Sequence, residues 1–141
     1  MYTRIWHYKL IPVLPNAMLV SQWRECIAIK RQWEKRTLKH RLVSYVMNYD
    51  GEYFIRYVLR VADEMKKRNI KHQEIYIDEI FNFCWNGKII QDWLNYKEHN
   101  DRYLKQCYYN LQEKYDRGII TKEEWQKIDE YYTREVMGYG N

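Results

Sequence analysis

Four stretches of this sequence place apolar side chains three and four residues apart, and that spacing commits most of the chain to amphipathic helices. Leu19, Trp23, Cys26 and Ile27 share one face. Phe54, Val58, Val61 and Met65 share a second, Ile77, Ile80, Phe81 and Cys84 a third, and Trp125, Ile128, Tyr132 and Val136 a fourth. Punctuation falls between them. Pro15 ends any earlier regular structure and puts Asn16 at the N-cap of the first helix. Asp50-Gly51 and Asn86-Gly87 are turns, and Asn69 is a stop following the cations Lys66-Lys67-Arg68, which suit a helix C-terminus. Arg117-Gly118 forms a left-handed helix end, and Thr121 with Glu124 makes a capping box for the last helix.

Two segments alternate in a way that would also suit strands: residues 42–49 and residues 73–85. With helices on both sides, the first is expected to be a buried connector or short helix and the second a helix. Ile89 to Tyr115 reads as one helix or two, with Trp93, Tyr96, Tyr103, Leu104, Tyr108 and Leu111 buried. The expected fold is all-α: a compact single-domain helical bundle over residues 1–141, with a C-terminal helical hairpin at 95–137. The N-terminal arm is expected to insert beside the first long helix, and the tail from Met137 to Asn141 to fray.

Composition narrows the functional classes. Aromatics make up 17% of the 141 residues, including fifteen Tyr and six Trp, which is far from a disordered composition. No apolar run approaches the ~18 residues of a membrane span, so no membrane partner is expected. Met1–Lys9 lacks a charged segment leading into an apolar one, so no signal peptide is expected. Cys26, Cys84 and Cys107 are odd in number and widely spaced, which suits reduced thiols in a cytoplasm. Four scattered histidines, with no HExxH and no cysteine cluster, give no reason to expect a metal. No GxGxxG or P-loop is present, so no nucleotide cofactor is expected either. Ser21 and Ser44 lack a nucleophile-elbow context.

Charge is divided unevenly. Residues 1–60 hold eleven Lys/Arg against four Asp/Glu, a net +7, while residues 61–141 hold thirteen against fifteen, a net −2. A positive half is the electrostatic footprint of a polyanion binder, although ordinary solvated charge gives the same count. The densest run is Lys30-Arg31-Gln32-Trp33-Glu34-Lys35-Arg36-Thr37-Leu38-Lys39-His40-Arg41. Trp33 among these bases suits stacking on an exposed base, and it equally suits an anchor to the core. The neighbouring carboxylates Asp78 and Glu79 diverge by about 100° on a helix, which makes them a poor acid–base pair.

The ordered residues of the first half resemble a known family. Arg4-Ile5, followed about twenty residues later by Arg24-Glu25, looks like the pyrimidine-dimer DNA glycosylases, the small phage-type endonuclease V. Trp6-His7-Tyr8-Lys9-Leu10-Ile11-Pro12-x-Leu14-Pro15 is closer to the bacterial branch of that family. So are Gln22-x-Arg24-Glu25-Cys26 and Tyr45-Val46 leading into Asp63-Glu64-Met65-x-Lys67-Arg68. The resemblance covers roughly residues 3–70.

It implies an all-helical DNA repair enzyme, a glycosylase and AP lyase acting on damaged pyrimidines, either dimers or abasic sites. In such an enzyme the α-amine at the chain start attacks C1′, and a Glu in the first long helix assists. Glu25 then takes the carboxylate role, and the amine is that of Met1, or of Thr3 after processing. An α-amine, with a reference pKa of ~7.7–8.0, is partly neutral near pH 7 and can form an imine. Arg4 and Arg24 are expected to hold phosphate and the distorted duplex. The expected DNA contacts further include His7, Lys9, Lys30, Arg31, Lys35, Arg36, Lys39, His40 and Arg41. The partner is double-stranded DNA with a lesion, and the location cytoplasmic, at the nucleoid.

The chain departs from the family at its start. Phage-type members expose a small residue next to Arg, whereas Met1-Tyr2-Thr3 precede Arg4 here, and the bulky Tyr2 disfavours removal of Met1. An unprocessed terminus lies two residues farther from Arg4, an added reach of up to ~7 Å. Two alternatives therefore stand: a non-catalytic DNA-binding protein of the same fold, and a helical interaction protein that forms a homo-oligomer through its C-terminal hairpin.

Overall fold

A computed structural model describes residues 4–137 of the chain. The calls on Met1, Thr3 and the tail from Gly138 fall outside those residues. The most deeply placed segment is the short extended run Ile5-Trp6-His7, all three buried. An extended backbone with no neighbouring strand leaves its peptide groups without ladder partners, and burial makes each unpaired group costly. Side chains supply the partners. The Trp6 amide donates to Gln22 Oε1 at 2.7 Å, and Gln22 Nε2 donates back to the Arg4 carbonyl at 3.0 Å. The Tyr57 hydroxyl donates to the Trp6 carbonyl at 2.7 Å and the Tyr103 hydroxyl to the Ile5 carbonyl at 2.6 Å.

Around this arm the chain is helical, and the described residues contain no strand. A 3-10 helix, Tyr8–Val13, leads through Pro15 into α1, Asn16–Glu34. Asn16 is the first helical residue and not the N-cap. Pro15 occupies the cap without a side-chain bond, and Asn16 Oδ1 instead accepts from Arg68 at 2.9 Å. A second 3-10 helix, Ser44–Asn48, carries the segment whose composition also suits a strand. Then come α2, Gly51–Lys67, and α3, Glu74–Cys84. Helix α2 packs against α1, α3 and both 3-10 helices, and its Phe54, Val58, Val61 and Met65 are fully buried. A Cβ at Gly51 would run into the Cys84 carbonyl, so glycine is what lets α2 start against the end of α3.

Residues 85–100 are irregular, and α4, Asp101–Asp116, begins only after them. The helix expected from Ile89 therefore starts later. Trp93 is 69% exposed on the preceding loop, whereas Tyr96 is buried as expected. Asn100 caps α4 by accepting from the Tyr103 amide, and the chain leaves it through Gly118 at φ +79°. Helix α5, Lys122–Met137, opens on the capping box in both directions: Glu124 N donates to Thr121 Oγ1 and Thr121 N donates to Glu124 Oε1. Ile128 is fully buried, but Val136 is exposed, so the apolar face ends before the helix does. No helix in the described residues is long and apolar enough to cross a membrane.

Two side chains tie the ends of this fold together. Arg68, at the end of α2, donates to the carbonyls of Ile11, Pro12 and Leu14 and pairs with Glu64 at 2.9 Å, clamping the first 3-10 helix. His99 accepts from the Tyr8 amide at Nδ1 (3.2 Å), which leaves its proton on Nε2 to donate to the Tyr45 hydroxyl at 2.9 Å. His99 also stacks on His7, with ring centroids 5.3 Å apart. Burial lowers the pKa of His7 to about 4 and that of His99 to about 3.

Two stability measurements follow. Gln22→Leu strands a buried amide and exposes the Arg4 carbonyl to an apolar neighbour, at ~1–3 kcal/mol for each unmet group. Urea unfolding is expected to show a loss of about 2–4 kcal/mol, and a change under about 0.5 kcal/mol would mean the arm is held by other contacts. Both histidines stay neutral in the folded state and take protons in the unfolded chain below its reference value of ~6.5. Stability is therefore unaffected by them above that pH and falls as the pH drops from ~6.5 toward about 4, by up to ~1.4 kcal/mol per pH unit for each ring. His99→Gln is expected to flatten that slope in the same unfolding measurement.

Candidate active site

Helix α1 turns Met18, Ser21, Gln22 and Glu25 to one face, at the i, i+3, i+4, i+7 spacing of a helical stripe. Helix α4 turns Asn110, Glu113, Lys114 and Arg117 outward at the same spacing. The two stripes face each other across a cleft of about 700 Å³. Arg4 and Trp6, at the entry of the buried arm, complete the lining. The arm is fixed there by Gln22, whose amide grips the backbone on either side of Ile5. The residue that closes one wall of the cleft thus also fixes the backbone of Arg4 and Trp6 beside it.

The cleft concentrates charge of both signs. Glu25 is half-buried on the α1 wall, with Arg4 at the arm and Lys114 and Arg117 opposite. The Arg4 guanidinium lies 5.1 Å over the Trp6 ring, and stacking of that kind holds a cation in place. Arg117 is 3.8 Å from Glu113, both largely exposed, a contact too solvated to hold either group tightly. On α4 the Asn110 Nδ2 donor is buried without a hydrogen-bond partner. A carboxylate beside several cations can stabilise a developing positive centre while the cations hold anionic groups on either side of it.

Of the residues expected at the site, the structure brings Arg4 and Glu25 together and places the others elsewhere. His7 is 1% exposed and enclosed by Tyr8, His99 and Tyr103, so it is a core residue and not a surface contact. Lys30 is likewise buried, paired with Glu34 at 2.8 Å and lying against the Phe83 ring. Both correct the expectation of a DNA-facing cation, and the reason is the same: their side of the backbone is covered by later elements, α4 and α3. Arg24 leaves α1 about 100° from Glu25 and lines a separate groove with Arg31. Lys9 is half-buried on the first 3-10 helix.

Lys35, Arg36, Lys39 and Arg41 are exposed where α1 ends and the following loop begins, with Arg36 in the left-handed region at φ 60°. That end of α1 is about 15 Å along the axis from Glu25, at ~1.5 Å per residue. His40 is half-buried and accepts from the Leu42 amide at Nδ1. Trp33 resolves toward the core, edge-on to Phe54 and Phe83. Nothing in the sequence marks Asn110, Lys114 and Arg117 as residues of the site. Their helical stripe is legible there, but nothing local says that it faces α1.

Other chemistries find little support in the geometry. The three thiols are buried and free, and burial pushes Cys84 up to about 12 and Cys26 higher still, away from the nucleophilic thiolate. Among the described residues no group of three or more His, Cys, Asp or Glu is placed to hold a metal ion.

Residues 3–78 match the family model described as pyrimidine dimer DNA glycosylase. The matched span carries Arg4, Arg24 and Glu25, while the α4 wall lies beyond it. No curated protein and no solved structure matches the chain.

Proposed function

The chain belongs to the pyrimidine dimer DNA glycosylase family, and from that membership we propose that it excises damaged pyrimidines from double-stranded DNA through a Schiff base formed beside Glu25. The observation that carries this reading is the meeting of Arg4, close to the chain start, with Glu25 in one cleft although twenty-one positions separate them.

The terminal amine, of Met1 or of Thr3 after processing, attacks C1′ of the damaged nucleotide. The glycosidic electron pair leaves with the base, which takes up a proton. The attacking nitrogen loses one proton, and as the sugar ring opens its lone pair forms the C1′=N bond while the C1′–O4′ pair returns to O4′, which takes up a proton, giving a protonated imine. The Glu25 carboxylate stabilises the positive charge that C1′ carries as the base departs. Loss of a proton from C2′ then forms the C2′–C3′ double bond and expels the 3′ phosphate, cutting the strand. Water finally releases the sugar remnant from the imine. Arg4, Lys114 and Arg117 bind the phosphates flanking the reacting sugar, and the exposed cations at the end of α1 grip the backbone farther along. Drawing a nucleotide out of the stack costs a few kcal/mol, roughly, and less at a lesion, which favours damaged sites.

Borohydride added to the protein with a duplex containing an abasic site is expected to trap a covalent adduct whose mass maps to the terminal residue. A protein that binds this duplex but is never trapped would be a non-catalytic binder of the same fold. Glu25→Gln is expected to slow strand cleavage by ~10²–10⁴ while affinity stays within about tenfold. An unchanged cleavage rate removes Glu25 from the reaction.

A further inference from the structure

On a different face of α1 from Glu25, a groove of about 400 Å³ runs between that helix and the turn joining α2 to α3. Arg24 and Arg31 come to it from α1, and Lys71, His72 and Gln73 from the turn, with Tyr76 beyond them on α3. Three cations converge here with no carboxylate in the lining. The N-terminus of α3 opens onto the same place: its N-cap, Gln73, makes no side-chain cap bond to the first amides of this eleven-residue helix.

His72 supplies a second, independent observation. Its side chain is 4% exposed and is held edge-on against Trp23, with ring centroids 5.1 Å apart, yet neither ring nitrogen has a hydrogen-bond partner. Nε2 lies 3.2 Å from Glu74 Oε1 but outside hydrogen-bonding geometry. A buried donor left without a partner is costly, and an anion oxygen in the groove would meet it.

We infer that this groove is a phosphate-binding site, distinct from the cleft at Glu25, in which His72 donates to a phosphate oxygen held by Arg24, Arg31 and Lys71. Arg31 already lies 5.7 Å over the Tyr76 ring, which orients its guanidinium along the groove wall. Glu74, 60% exposed and paired loosely with Lys66 at 4.0 Å, is the opposing charge at the rim and sets how strongly the site attracts an anion. The phosphate belongs either to the backbone of the same bound duplex or to a free phosphorylated molecule. The groove asks only for a tetrahedral anion.

Inorganic phosphate titrated into the full-length protein, followed by the histidine ring signals in NMR, tests the site. The His72 signals are expected to shift in a saturable way, and the other three histidines far less. Arg31→Gln with Lys71→Gln is expected to weaken phosphate binding by about tenfold, while Glu74→Gln strengthens it by about twofold to fivefold. His72→Phe keeps the packing on Trp23 and is expected to weaken phosphate binding by about tenfold when binding is read by calorimetry. Should that variant fold poorly, the exposed Arg31–Lys71 pair carries the test alone. Competition between phosphate and an abasic-site duplex assigns the site to the DNA backbone. Simultaneous binding of both assigns it to a free phosphorylated ligand. His72 signals that do not move, or full phosphate affinity in the Arg31–Lys71 variant, overturn the inference. Borohydride trapping at the terminal amine is measured separately, so either result leaves the reaction beside Glu25 untouched.

Discussion

The fold depends on solving one problem, an extended segment buried where no strand can pair with it. Ile5-Trp6-His7 contributes its side chains to the core, but its amides and carbonyls must be met individually. Gln22 from α1, Tyr57 from α2 and Tyr103 from α4 meet them, and His99 from the loop before α4 takes the Tyr8 amide that follows. Each of these partners comes from a different element. The arm is therefore the common point through which α1, α2 and α4 are registered against one another, and its removal would leave three helices with buried polar groups facing a void.

That arrangement also explains where the cleft lies. Gln22 and Glu25 are one turn apart on α1, so the side chain that fixes the arm and the side chain proposed for chemistry are set by the same helix face. Tyr103 holds Ile5 from α4, and Asn110, Lys114 and Arg117 follow it on that helix as the opposite wall. The start of the described chain is thereby delivered beside a carboxylate and between cations by the packing of the core. A rigid scaffold of this sort suits chemistry in which an amine, a sugar carbon and a carboxylate must coincide to within about an ångström.

Arg24 and Glu25 illustrate how adjacent residues come to serve different places. A helix separates them by about 100°, so one enters the cleft with Arg4 and the other the groove with Arg31, Lys71 and His72. Helix α1 is in this sense a partition with a charged site on each side. The basic run after Lys30 extends the positive surface away from both. Within it, Lys30 and Trp33 turn inward against Phe83, and Lys35, Arg36, Lys39 and Arg41 remain in solvent.

Periodicity identified α1, α2, α3 and α5, and turn and capping residues located several of their ends. The stripes of α2 and α3, the glycine after Arg117 and the capping box at Thr121 are local patterns, and local patterns survive into the fold. Arg4 and Glu25 were legible as well, through the ordered resemblance that runs across the first half. Three things were not. Trp93 carries an apolar residue's signature on a loop that solvent reaches, since α4 is capped only at Asn100. His7 reads as one more cation near the arm until later elements close over it, His99 from ninety-two residues on among them, and burial keeps it neutral. Asn110, Lys114 and Arg117 form a polar stripe like any solvated helix face until packing turns it toward Glu25. Spacing along a chain dictates which side chains share a face. Which faces meet is decided by long-range packing and by the pairing of buried peptide groups, and here the buried arm made that choice.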